Sequence, residues 1–126
     1  MPILAILKHE EGVRLDPDPL AALYAALGER GAEQVLCRAM EDIGARLTDM
    51  LKQADERQDL ALARSARQLA KIAGQIGMAT MARVAVDVVV ATEAGDLTAQ
   101  AAILTRLARI GERSQLAIWD LRTCRL

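Results

Sequence analysis

The sequence contains no phenylalanine, one tryptophan and one tyrosine: aromatic residues make up only 2% of its 126 positions. Its interior must therefore be filled by Ala, Leu, Ile, Val and Met. Hydrophobic residues reach 52%, which excludes a chain too polar to bury a core. Histidine occurs once, at His9, and cysteine twice, at Cys37 and Cys124. These three residues have no metal-ligand spacing, so no metal site and no cofactor is expected. Two lone thiols fit a reducing cytoplasm at least as well as a disulfide. Positive charge is not in surplus, since the net charge is −1, and this excludes a general nucleic-acid binder. Long apolar runs are missing too. Ile3 to Leu7 falls far short of the roughly 20 residues of a membrane span and lacks the features of a secretory signal. It reads as an arm packed on the protein, which is expected to be cytoplasmic. No nucleophile–base pair, carboxylate pair or glycine-rich phosphate loop is present, which argues against a hydrolytic or redox enzyme.

What is present is helical. Ala and Leu are strong helix formers, and three prolines leave long stretches unbroken. Two of them, in Asp16-Pro17-Asp18-Pro19, close an N-terminal arm of residues 1–16. Asp18 is expected to cap a short helix with Pro19 at its first position. That helix runs over Leu20, Leu23, Tyr24 and Leu27 to Gly28 and Gly31. A second, from about Ala32 to Arg57, carries Leu36, Met40, Ile43, Leu47, Met50, Leu51 and Ala54 at helical spacing. Asp59 is the expected cap of a third, about Leu60 to Ile76, whose inner stripe is Leu62, Ala66, Leu69, Ala73 and Ile76.

Gly77 marks a break before a fourth helix, about Met78 to Ala94. Its Val88-Val89-Val90 run could pass for a strand, but the segment is long, lacks Gly and Pro, and sets Arg83 and Asp87 one helical turn apart. Gly95 closes it and Asp96 caps a fifth helix with Ile103, Leu107, Ile110, Ala117 and Ile118 inward. Gly111 is a candidate bend, and residues 119–126 form a tail from Trp119. Short loops join antiparallel neighbours. The expectation is one all-α domain over residues 1–126, an antiparallel up-and-down four-helix bundle with the short first helix as a lid.

Within the third helix, Arg67-Gln68-Leu69-Ala70-Lys71-Ile72-Ala73-Gly74-Gln75-Ile76-Gly77 resembles the signature of the histidine-containing phosphotransfer (HPt) domain. Leu69, Ala73, Ile76 and Gly77 fall in register with it. The surroundings match as well, with Leu15-Asp16-Pro17 before a short helix, then a long helix, and Gly95-Asp96-Leu97 after the fourth. The resemblance covers roughly residues 13 to 118. It implies a helical bundle of two-component phosphorelay signalling, whose partners are response-regulator receiver domains and histidine kinases.

Three departures bear on activity. Arg67 stands where the family has its phospho-accepting histidine, Ala70 where it has Lys, and Lys71 where it has Gly. A guanidinium has no free lone pair to act as a nucleophile. Lys71 adds bulk and charge where the family leaves space for a receiver. The resemblance thus implies a protein that is not an enzyme and does not carry phosphate by the usual route. His9 lies in the arm beside Glu10 and Glu11, outside the helix that would present an acceptor, and reads as a surface histidine.

No acidic residue lies between Asp59 and Asp87, while Arg64, Arg67 and Lys71 recur at spacings of three and four. They share one helix face, flanked by Gln68 and Gln75, with Gly74 one turn beyond Lys71. A solvated face is the plain reading. The functional one is a partner-binding surface of Arg64, Arg67, Gln68, Lys71, Gly74 and Gln75, attracted to the acidic cluster of a receiver. Two further readings stay open: an active phosphotransfer protein with an atypical acceptor, and a structural bundle that forms a homodimer. Val86, Val89 and Val90 favour the latter, because they exceed what one narrow buried stripe requires.

Overall fold

The computed structural model describes the backbone of residues 16–124 and the side chains of residues 16–113. The arm with His9, and the side chains of Ala117, Ile118, Trp119 and Cys124, lie outside the described residues. Among the described residues four helices follow one another: α1 (Pro17–Asp55), α2 (Asp59–Gln75), α3 (Ala79–Glu93) and α4 (Leu97–Cys124). Each packs on its neighbours in sequence, and α1 also packs on α4, so the four close into a bundle. Three-residue connections turn the chain back each time, which makes the bundle antiparallel and up-and-down. The valine run is helical: Val84, Val88 and Val89 face the core while Val86 and Val90 face outward.

The two helices expected before residue 57 form α1, which is interrupted at Gly28 (φ 75°, ψ 174°). That backbone region is essentially restricted to glycine. The segment before it serves as the lid: Leu20 is buried in the common core, whereas Leu27 is exposed. Its cap differs from the expected Asp18. Asp16 is the N-cap, its carboxylate accepting from the Asp18 N–H at 3.1 Å, with Pro17 in the first turn. The tandem Asp-Pro repeat fits either start locally. A tertiary contact accompanies the earlier one, because the Asp16 N–H donates to the Gly77 carbonyl at 2.8 Å.

Helices α1, α2 and α3 end alike. A residue of positive φ (Arg57 at 58°, Gly77 at 80°, Gly95 at 70°) turns the chain so that its own N–H and the next one return to the last carbonyls. Gln58 donates to Gln53, Met78 to Ala73 and Asp96 to Ala91, the paired pattern of a Schellman cap. The N-cap of α2 is Gln58 rather than Asp59, and Asp59 lies in the first turn. There its charge faces the positive end of the helix dipole without a capping bond. Asp96 does cap α4 as expected, accepting from the Ala99 N–H at 3.0 Å.

The core is aliphatic and methionine-rich, centred on Leu36, Met40, Ile43, Met50, Leu62, Leu69, Met78, Met81 and Leu107. Leu51, expected in the inner stripe of α1, is instead 45% exposed, and Ala54 is only half-buried. Met40, Ile43, Leu47 and Met50 already complete the stripe, and Leu51 is turned a further 100° or so from Met50. Gly111 does not break α4. A side-chain carbon there would run into Leu47, so the glycine permits close approach of α4 to α1. Between α3 and α4, the buried Gln100 amide donates to Thr92 Oγ1 at 3.0 Å.

Candidate functional site

The face singled out in the sequence lies on the outside of α2. All six residues, Arg64, Arg67, Gln68, Lys71, Gly74 and Gln75, are exposed. The reason is helical register: Leu62, Ala66, Leu69 and Ala73 are buried, and the strip occupies the opposite side. Nothing lies within 4 Å of where a Gly74 side chain would begin, so the surface beyond Lys71 is open.

Two neighbours absent from the sequence reading join the strip. On the α3 side, Arg67 Nη2 lies 2.7 Å from Glu93 Oε2, both side chains being more than half exposed. On the α1 side, Arg46 Nη1 donates to Gln68 Oε1 at 2.6 Å, and Asp42 Oδ1 lies 3.2 Å from Arg46 Nε. Arg46 and Glu93 are 22 and 26 residues from their partners, so no local spacing could have paired them. Arg64 and Lys71 have no ion-pair partner among the described residues.

This arrangement suits charge recognition. Arg64 and Lys71 offer cations directly to solvent, and Arg67 offers one already holding a carboxylate. The guanidinium of Arg67 supplies hydrogen-bond donors in a planar fork but no nucleophilic lone pair. Among the described residues no group of three His, Cys, Asp or Glu is placed to hold a metal ion. No helix among them is long and apolar enough to cross a membrane. Compared with known proteins, the chain matches no family model, no curated protein and no solved structure.

Proposed function

We propose that this chain is an HPt-like phosphorelay protein that does not carry phosphate and that docks a response-regulator receiver, or a histidine kinase, through the basic face of α2. The observation that carries this reading is the exposed row Arg64, Arg67 and Lys71, with Arg67 at the acceptor position of the HPt-like signature. Receivers of this signalling class present acidic side chains around their phosphorylated aspartate. A basic row opposite them raises the encounter rate and sets orientation. The four-helix architecture supports the same reading without identifying the family.

The test is binding to a receiver domain at low and moderate salt, comparing the wild type with Arg67→Glu. Weaker binding of the variant, most marked at low salt, is expected; unchanged affinity removes Arg67 from the interface. Incubation with a phosphorylated receiver or an active kinase is expected to leave no acid-labile phosphate on the chain. Label on His9 would overturn this part of the reading and favour an atypical acceptor. Self-association is the second reading, motivated by the exposed Val86 and Val90, and light scattering of the pure protein measures it.

A further inference from the structure

The Arg67–Glu93 pair joins two exposed rows. On α2, Leu60, Arg64, Arg67 and Lys71 follow one another at spacings of four, three and four; on α3, Arg83, Val86, Val90 and Glu93 do so at three, four and three. Every one of these residues is exposed, Leu60 to 86% and Val90 to 61%. Because Glu93 reaches Arg67, the Glu93 end of the row on α3 lies beside α2. Half-buried Ala70 and Ala82 pack on the core from these same two helices. From Leu60 to Lys71 the row is about 16 Å long, three turns of helix.

The two sides differ in chemistry. The α2 side is cationic except at Leu60. The α3 side presents its two valines between Arg83 and Glu93. Four cations stand against one carboxylate, and that carboxylate is already engaged. From this we infer that α2 and α3 together form a docking groove for an acidic amphipathic helix, one edge of which bears carboxylates toward α2 and the adjacent edge aliphatic side chains toward Val86 and Val90. The inference rests on the docking role of the basic strip and extends it to α3 and to the shape of the partner. A second copy of the chain is the poorer occupant. Two-fold pairing through this face would bring together two copies of its net positive charge, which opposes association, whereas an acidic helix reverses the sign. Helices held in this way anchor through side chains at three- and four-residue spacing, which is the spacing both rows present.

The probe is a synthetic helical peptide with leucines along one stripe and glutamates along the next, paired with a control in which lysines replace the glutamates. The wild type is expected to bind the acidic peptide and not the control. Val86→Asn with Val90→Asn, and separately Arg64→Glu with Lys71→Glu, are each expected to weaken binding about tenfold or more. All four positions are exposed, and circular dichroism checks that both variants stay folded. If only the charge-reversed variant loses affinity, the groove is overturned while the basic strip survives. If only the valine variant loses affinity, the strip reading fails and the groove fails with it. Absence of binding to the wild type, or a dimer that the valine substitutions dissociate, also overturns the inference, the latter by giving this face to a second copy.

Discussion

The Arg67 guanidinium and the Glu93 carboxylate meet at 2.7 Å across the seam between α2 and α3. Their contact occupies the cation at the centre of the basic row with a carboxylate from the same chain. An acidic partner must therefore share Arg67 with Glu93 or displace it. Glu93→Gln is expected to raise affinity for a receiver domain or an acidic helical peptide several-fold, with a stronger dependence on salt. Since exposed pairs contribute about 0–1 kcal/mol, thermal stability should hardly change. Titration calorimetry at two salt concentrations, with a melting curve, checks both statements; unchanged or weaker binding would show that Glu93 does not compete.

Arg57 ends α1 at φ 58°, the position that glycine fills at the ends of α2 and α3. A side chain in that left-handed region is disfavoured by about 1–2 kcal/mol, partly offset by the greater freedom glycine has when unfolded. Arg57→Gly is expected to stabilise the bundle by about 1 kcal/mol, seen as a melting temperature higher by several degrees. A lower melting temperature would mean that the arginine side chain contributes more than the strain it brings.

Gly77 and Gly95 share the same helix-ending geometry but not the same surroundings. A side-chain carbon on Gly95 would meet nothing, whereas one on Gly77 would run into the Asp16 carbonyl. Gly95→Ala should therefore lose about 1 kcal/mol to backbone strain alone. Gly77→Ala should lose about 2–3 kcal/mol, because it also pushes away the start of α1 and its hydrogen bond to Gly77. Urea unfolding of the two variants makes the comparison. Equal midpoints would show that the Asp16–Gly77 contact does not hold the lid segment in place.

Much of the fold is legible in the residues themselves. The stripe Leu62, Ala66, Leu69, Ala73 and Ile76 repeats at the helical period and is buried throughout. Gly28, Gly77 and Gly95 stand where helices break or end, because the chain needs positive φ at those points. The valines from Val84 to Val90 carry a conflicting signal, since β-branched residues favour strands; amphipathic placement over a long uninterrupted segment outweighs that preference. Leu51 lies outside the buried stripe, because hydrophobicity alone does not say when a stripe is already complete.

The exposed strip of α2 follows from the sequence by itself, since helical register puts Arg64, Arg67 and Lys71 on one side once Leu62 and Leu69 face inward. What surrounds the strip was decided only by the tertiary structure. Packing of α2 between α1 and α3 brings Arg46 to Gln68 and Glu93 to Arg67, and it sets Val86 and Val90 on the neighbouring exposed row. It also accompanies the choice of Asp16 over Asp18 at the start of α1, through the Gly77 carbonyl. Local periodicity specifies which way a side chain faces on its own helix. Which residue it meets depends on how the helices are arranged, and that is set by the whole core at once.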